Sequence, residues 1–263
     1  MTVAPRAGDD RAADRSGAAY DGVPAAELAR RLGVPRVVAL RETSSTLDVA
    51  HAVAEAGAPA GTLVLADRQT SGRGRHGRSW SSAAGGGVWL TLVERDVDPT
   101  ALPVLPVRLG LAAARVLDEA ADDAVRLKWP NDLYVGARKL AGILVEARWQ
   151  AASLAWIAVG LGVNVLVPAD VALAVGLRAG TRRVDVLAAL VPALRAAVAL
   201  PGQLSAAELD EYAGRDLAAG RDCIEPVAGR VVGLRADGAL LVDAADGLLG
   251  VTNGSLTFVA EPA

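Results

Sequence analysis

A run of alternating glycine and arginine is the segment of this chain best suited to binding an anion. The run, called the Gly-Arg loop below, covers residues 72–80, reads Gly-Arg-Gly-Arg-His-Gly-Arg-Ser-Trp, and follows Gln69. Its glycines let the backbone take unusual angles and approach a ligand closely, and its guanidinium groups offer forked donors to phosphate or carboxylate oxygens. Trp80 adds a flat face on which a purine can stack. The run therefore predicts a loop that binds a negatively charged ligand.

The same run also has the G-x-G-x-x-G spacing of dinucleotide-binding turns. In those turns the last glycine opens a helix whose N-terminus binds the pyrophosphate. Here Gly77 is followed by Ser81-Ser82 and by the triplet Gly85 to Gly87, which form helices poorly. Glu94 lies near the position expected for a ribose-binding acid, but nothing else supports that interpretation. We therefore reject a Rossmann-type site.

Lysine is rare in this chain, and both lysines fall close together. Of the 27 Lys and Arg residues, only Lys128 and Lys139 are lysines, and Asn131 lies between them. The Ala/Arg/Val/Gly-rich composition is typical of GC-rich coding, which replaces lysine by arginine where either will serve. An ammonium and a guanidinium are not interchangeable at a tight site. The pair therefore indicates a second cationic element, with two chance surface neighbours as the alternative.

Four segments, in chain order, resemble the motifs of biotin protein ligases. The Gly-Arg loop resembles the family's GRGRxGRxW. The other three are Lys128-Trp129-Pro130-Asn131-Asp132-Leu133, Lys139-Leu140-Ala141-Gly142-Ile143-Leu144-Val145-Glu146 and Gly160-Leu161-Gly162-Val163-Asn164, which resemble KWPND, KLAGILVE and G-x-G-x-N. Ser45-Thr46 also matches the family's Ser-Thr pair, but Leu47 stands where the family usually has Asn. The similarity runs from about Val37 to the C-terminus, and the effect of Leu47 on biotin affinity is open.

The resemblance implies an ATP-dependent ligase. Such an enzyme forms biotinyl-5'-AMP, releases pyrophosphate, and transfers biotin to a lysine of a biotin carboxyl carrier protein. Attack of a carboxylate on the α-phosphate brings two anions together, so positive charge is the main requirement. Biotin's carboxyl group, with a pKa of roughly 4.3 by analogy with Glu, is already ionised at neutral pH. This step needs no strong general base, which suits a chain with only two histidines, His51 and His76.

The resemblance also assigns roles to single residues. Lys139, Arg75 and Asp132 would be catalytic, with Lys139 and Arg75 bridging the biotin carboxylate and the α-phosphate. Asp132 would orient ligands, help to hold Mg²⁺, and orient or deprotonate the acceptor amine. The implied biotin contacts are Ser45, Thr46, Gln69, Gly72, Arg73, Gly74, Arg75, Lys139 and Gly142. The implied ATP or adenylate contacts are Arg75, Arg78, Trp80 (near adenine), Asn131, Asp132, Lys139 and Asn164.

The periodicity of apolar residues indicates an α/β (α+β) fold that would position these motifs. We expect a disordered tail and a short helix in residues 1–35, and a mixed-sheet catalytic domain of the biotin/lipoate ligase type in residues 36–218. Predicted strands lie at 37–40, 62–66, 88–93, 125–129, 140–147 and 156–165, and predicted helices at 24–32, after Ser45, around 109–117, at 184–200 and at 205–212. From residue 219 onward, short apolar runs are split by Asp237-Gly238, Asp246-Gly247 and Asn253-Gly254. These turns predict a small SH3-like β-barrel.

Composition narrows the class of protein. No apolar run reaches the roughly 18 residues of a membrane span, and the segment Met1 to Tyr20 lacks the apolar core of a signal peptide. The single cysteine, Cys223, cannot form an internal disulfide. We therefore expect a cytoplasmic protein that does not bind membranes.

The sequence leaves alternatives open for both the function and the partners. A net charge of -3 argues against bulk nucleic-acid binding, and a helix-turn-helix-like segment at 25–34 lacks a second, recognition helix, so we expect no DNA binding. A lipoate ligase or octanoyltransferase and a biotin-responsive repressor are the alternatives. The carrier, a homodimer and the role of the C-terminal region are not specified by the sequence.

Overall fold

The computed structural model describes residues 19–259, which form one seven-stranded sheet with helices on both faces and a smaller C-terminal sheet. A short hairpin, β1 (Ala19–Tyr20) and β2 (Val23–Pro24), precedes the main sheet. The helices are α1 (Ala25–Leu32), α2 (Thr46–Glu55), α3 (Leu105–Leu117), α4 (Arg183–Val198) and α5 (Ala206–Arg215).

The central sheet is mixed, as expected. Its strands in chain order are β3 (Val37–Thr43), β4 (Thr62–Gln69), β5 (Gly87–Glu94), β6 (Val125–Lys128), β7 (Asp132–Val135), β8 (Arg138–Gln150) and β9 (Ser153–Asn164). Their spatial order is β3-β4-β5-β9-β8-β7-β6, in which β3 and β4 are parallel and the other pairs are antiparallel. Every residue of β5 is buried, which explains why its sequence is a nearly continuous apolar run.

Alternating side chains place the helices on opposite faces of this sheet. On β4, Leu63 and Leu65 belong to the large apolar cluster that includes α3 and α4, whereas Val64 packs in a smaller cluster with Ala50 and Ala54 of α2. Helix α2 begins as its sequence predicts, because the Ser45 hydroxyl caps it by accepting from the Leu47 N–H. The start of α2 therefore lies over one face of the sheet, beside the Gly-Arg loop.

Residues 19–35 contribute side chains to the main apolar core. Tyr20 is 2% exposed, and its hydroxyl donates to the Gly87 carbonyl. Leu28 and Leu32 of α1 lie in the same apolar cluster as the sheet. Apolar residues of α1 could bury their surface only against the sheet, so the helix packs there rather than standing apart. The predicted disorder of residues 1–18 concerns residues outside the described range.

The C-terminal region forms a five-stranded antiparallel sheet where the turns predicted β-structure. Its strands are β10 (Asp222–Glu225), β11 (Gly229–Leu234), β12 (Leu240–Ala244), β13 (Gly247–Val251) and β14 (Thr257–Phe258), in the order β13-β12-β11-β10-β14. The region packs against the main domain, since the Trp129 indole donates to the Gly238 carbonyl at 3.0 Å. Cys223 is buried, as a small core residue would be.

None of the helices within residues 19–259 has both the length and the apolar composition needed to cross a membrane.

Candidate active site

A cleft with a cavity volume of about 150 Å³ lies between the Gly-Arg loop and the face of β8 and β9. The start of α2, the segment between β6 and β7, and Ser255 and Leu256 of the C-terminal region complete its walls. The lining brings together most of the residues predicted from the sequence: Ser45, Thr46, Gln69, Arg73, Gly74, Arg75, Arg78, Trp80, Asn131, Asp132, Lys139 and Gly142.

Lys139 and Asp132 form an ion pair in this cleft. They lie on the adjacent strands β8 and β7, and the Lys139 Nζ is 2.7 Å from Asp132 Oδ1. The same ammonium lies 5.2 Å from the centre of the Trp80 ring, a distance at which a cation is attracted to an aromatic face. The Lys139 ammonium and the Asp132 carboxylate, both predicted from the sequence, therefore face the same cleft.

Arg75 reaches the cleft from the Gly-Arg loop and is held there by Asn131. Its Nη1 donates to Asn131 Oδ1 at 3.4 Å. Asn131 is itself fixed to β8, because its Nδ2 donates to the Ile143 carbonyl at 2.6 Å and its own carbonyl accepts from the Ile143 N–H. Burial lowers the pKa of Arg75, with Arg78 adding to the effect and Asp132 opposing it. Arg75 is thus a partly desolvated cation, which interacts strongly with an anion.

Positive charge dominates the cleft. Five of its described lining residues are Arg or Lys, and Asp132 is the single acidic one among them. Burial lowers the pKa of Lys128, and the nearby cations Lys139, Arg221 and Arg78 lower it further while Asp132 raises it. Lys128 also lies 5.1 Å from the Phe258 ring of the C-terminal region. This surplus of cations suits a ligand with several negative charges. The sequence-based list of site residues omitted Lys128, although its rarity as a lysine was the available signal.

A hydrogen-bond network lines the part of the cleft near α2. Gln69 Oε1 accepts from the Thr46 N–H at 2.8 Å and from the Thr46 hydroxyl at 3.1 Å. Gln69 Nε2 donates to the Ser82 hydroxyl, and the Thr91 hydroxyl donates to that of Thr46. These groups are rigidly oriented and can present fixed donors and acceptors to a polar head group. Leu47 packs beside them against Gly160, where an added Cβ would lie 3.2 Å from Leu47.

Two paired glycines form the floor of the cleft under Trp80. Gly142 of β8 and Gly162 of β9 are directly paired in the sheet. A Cβ on Gly142 would lie 3.0 Å from the Trp80 ring, and a Cβ on Gly162 would lie 2.5 Å from Trp80 Nε1. The indole therefore lies on bare backbone, and its Nε1 is buried without a hydrogen-bond partner among the described residues. The proposed stacking of Trp80 on adenine stays a prediction.

Three residues predicted to contact a ligand have close protein neighbours of their own in the structure. Asn164 is 3% exposed and does not line the cleft; its Nδ2 donates to the Lys139 carbonyl at 3.3 Å. Gly72 pairs with Trp80 at the base of the loop, where a Cβ would come 2.5 Å from the Trp80 carbonyl. Arg73 borders the cleft, but its guanidinium faces Asp48 and Glu146. Asn164 thus supports the strand that carries Lys139, and its contact with the adenylate stays a prediction.

The described residues contain no group of three or more His, Cys, Asp or Glu side chains that could hold a metal ion. Asp132, the one carboxylate of the cleft lining, is already paired with Lys139. The contact of Asp132 with Mg²⁺ stays a prediction. Mg²⁺ commonly reaches a site of this kind on the phosphates of its nucleotide, held by one or two carboxylates.

Residues 39–164 are similar in sequence to known proteins. The model of the Biotin/lipoate A/B protein ligase family matches residues 39–164. The bifunctional ligase/repressor BirA of Bacillus subtilis is 41% identical over 123 residues, which cover 46% of this chain and 38% of that protein. The biotin--[acetyl-CoA-carboxylase] ligase of Mycobacterium tuberculosis is 38% identical over 116 residues, covering 40% of each chain. The matched segment thus spans about two fifths of these curated relatives.

The fold agrees over a longer range. A biotin protein ligase from Aquifex aeolicus, solved in complex with biotin and ATP, superposes with a TM-score of 0.69 at 24% identity, covering 86% of this chain and 100% of that one. A biotin protein ligase from Leishmania major in complex with biotinyl-5-AMP gives a TM-score of 0.59, covering 86% of this chain. Residues 39–164 are therefore similar to the biotin/lipoate A/B protein ligase family, and the fold of residues 19–259 is similar to that of biotin protein ligases.

Proposed function

We propose that this chain is a biotin protein ligase that activates biotin with MgATP and transfers it to a lysine of a biotin carboxyl carrier protein. The observation that carries the proposal is the convergence of Arg75 and Lys139 on one cleft whose lining has a surplus of cations. The matched relatives are ligases of this kind, and one structural neighbour was solved with both biotin and ATP. A cytoplasmic location is part of the proposal, since both substrates and the carrier are used there.

The first half-reaction needs charge neutralisation more than proton transfer. The biotin carboxylate attacks the α-phosphorus of ATP, an acyl-phosphate bond forms, and pyrophosphate leaves with the electrons of the broken bond. Arg75 and Lys139 lie where they can bind both anions and bring them together. Lys128 and Arg78 supply the charge that the departing pyrophosphate requires. Asp132, the carboxylate of the described lining, would help to hold Mg²⁺ bound to the nucleotide, and the ion would offset charge on the polyphosphate.

The second half-reaction needs an uncharged amine. The acceptor lysine has a pKa of about 10.4 in free form, so it must lose a proton before it attacks the acyl carbon and expels AMP. Asp132 is the one acidic side chain among the described cleft residues. We assign it the role of orienting or deprotonating that amine.

The polar network near α2 suits the ureido head of biotin. Gln69 and Thr46 are locked by mutual hydrogen bonds, so their remaining donors and acceptors point in fixed directions. A site built in this way rejects ligands that lack matching polar groups, because its buried groups would be left unpaired. Lipoate has no ureido group, so biotin is the substrate that this network favours.

Transfer of labelled biotin to a purified carrier domain, with and without ATP and Mg²⁺, tests the proposal. We expect label on the carrier only when both are present, and no label with lipoate in place of biotin. Asp132→Asn should form biotinyl-5'-AMP yet transfer it slowly when supplied with the preformed adenylate. Normal transfer by that variant would remove the role assigned to Asp132, and transfer of lipoate at the rate of biotin would overturn the substrate assignment.

A further inference from the structure

The guanidinium of Arg73 is held away from the middle of the cleft by two carboxylates. Its Nη2 lies 3.2 Å from Asp48 Oδ1 on α2 and 3.2 Å from Glu146 Oε2 on β8. Both acids lie outside the cleft lining. Arg73 therefore joins the first part of the Gly-Arg loop to a helix and to a strand at the same time.

One of these carboxylates is itself held by a partly buried chain of hydrogen bonds. Glu146 Oε2 lies 2.8 Å from His51 Nε2, and the Trp156 indole donates to His51 Nδ1 at 3.0 Å. An indole N–H can only donate, so His51 Nδ1 is the acceptor. The hydrogen of this imidazole is then on Nε2, which donates to Glu146. Trp156 is 6% exposed. The anchor for Arg73 thus reaches from the loop into the apolar core beneath α2.

Backbone hydrogen bonds join the two arms of the Gly-Arg loop. Trp80 N–H donates to the Gly72 carbonyl at 2.8 Å, and Gly74 N–H donates to the Arg78 carbonyl at 2.7 Å. These bonds make the loop a short hairpin with Arg73 in its first arm and Arg75 at its tip. A restraint on Arg73 is therefore passed to Arg75, and so to the mouth of the cleft.

We propose that Asp48 and Glu146 are positioning residues that act through Arg73 to keep the Gly-Arg loop closed over the cleft, and that this latch retains the reactive acyl-adenylate until the acceptor amine arrives. The inference rests on the proposed function for its ligand, the mixed anhydride, but the latch itself is a property of the loop. It replaces the direct biotin contact that the family resemblance implied for Arg73.

A double-mutant cycle separates the latch from ligand binding. In the latch model, Arg73→Met and the pair Asp48→Asn/Glu146→Gln each speed release of labelled biotinyl-5'-AMP by about three- to tenfold, the range expected from two partly exposed ion pairs. The triple variant should release the adenylate little faster than either of these variants, because each of them already removes the same two ion pairs. Additive effects would show that Arg73 binds the ligand directly, and would overturn the proposal.

The variants are designed to keep the fold. Gln at position 146 can still accept from His51, and Asp48 is 52% exposed in its side chain, so Asp48→Asn alone serves if the pair folds poorly. Asp185→Asn is the matched control, because it removes an exposed carboxylate of α4 that pairs with Arg182 and does not line the cleft or the loop. The control should release the adenylate at the wild-type rate.

Trypsin gives a second measurement that does not need activity. Cleavage after Arg75 and Arg78 in the ligand-free protein reports how often the loop opens. We expect about three- to tenfold faster cleavage in Arg73→Met and in Asp48→Asn/Glu146→Gln, with no change in the control. Unchanged cleavage in both would refute the latch. If the wild-type protein forms no adenylate, the proposed function fails, whereas the cleavage rates still decide on the latch.

Discussion

Replacement of Gly162 by alanine should displace Trp80 from the floor of the cleft. The new Cβ would lie 2.5 Å from Trp80 Nε1 and 2.6 Å from its Cε2, whereas carbon contacts are normally about 3.5–4.0 Å. The indole must therefore shift by about 1 Å. It cannot flex like an aliphatic chain, and Trp89 packs against it in a T-shaped arrangement with the two ring centroids 6.4 Å apart. Such overpacking typically costs about 1–3 kcal/mol.

The expected loss of activity is larger than the loss of stability. A cost of about 1–3 kcal/mol corresponds to a fall in Tm of roughly 2–12 °C for a protein of this size. Trp80 lies 5.2 Å from the Lys139 ammonium, so its shift changes the position of the main cation. A misplacement of about 1 Å can lower the rate by roughly 100-fold. Biotin-dependent ATP–pyrophosphate exchange and thermal melting measure the two effects.

Two companion variants make this prediction refutable. Gly214 lies on exposed α5 with nothing within 4 Å of an added Cβ, so Gly214→Ala should be neutral or stabilising by about 0.5–1 kcal/mol. Trp80→Phe added to Gly162→Ala should recover part of the lost stability, because the smaller ring leaves room. If Gly162→Ala melts and exchanges like Gly214→Ala, Trp80 does not lie on the glycine floor.

Three further changes test other parts of the site and fold. Lys139→Ala should abolish pyrophosphate exchange with little change in Tm, since its ammonium is partly exposed; near-normal exchange would contradict its catalytic role. Arg75→Gly should form the adenylate but release it to solvent, and a variant that retains its intermediate would count against closure by this residue. The hydrogen bond from Arg115 lowers the pKa of Glu211 in the folded protein below its unfolded value of about 4.5. The ionised carboxylate therefore stabilises the fold above the unfolded pKa, and this stabilisation is lost as the pH falls through the folded pKa. Glu211→Gln should therefore lower Tm at pH 7 and match the wild type in acid; an equal deficit at every pH would exclude this charge effect.

Most elements of the main domain could be predicted because their apolar residues follow one clear period. Strands β4, β5 and β9 and helices α1, α4 and α5 lie within a few residues of their predicted bounds. Strand β7 was missed. It has only four residues, begins inside the KWPND motif at Asp132, and turns at Gly136 with a φ of 57°. A pattern of four residues contains too few repeats to indicate a strand.

The site residues could be named from motifs, but their contacts could not. Asn164 lies two residues beyond Gly162 and shares its face of β9, so the sequence supports a cleft contact. In the structure the side chain donates to the backbone of Lys139, a contact that the motif does not indicate. Likewise, Arg73 has two glycine neighbours that suggest a ligand-binding loop, yet its partners Asp48 and Glu146 come from distant segments. Pairings across such separations depend on the sheet register, which no local pattern specifies.

The ion pair of Lys139 with Asp132 links the two half-reactions that we propose. These charges lie 2.7 Å apart, so a carboxylate or phosphate that enters the cleft must compete with Asp132 for the ammonium. Once the adenylate draws Lys139 away, Asp132 loses its partner in a cleft whose other described charged residues are all cationic. A carboxylate released in this way attracts the incoming lysine ammonium and can accept its proton. The order of events then follows from charge alone: Asp132 becomes free for the acceptor only after the anion that the acceptor attacks is in place.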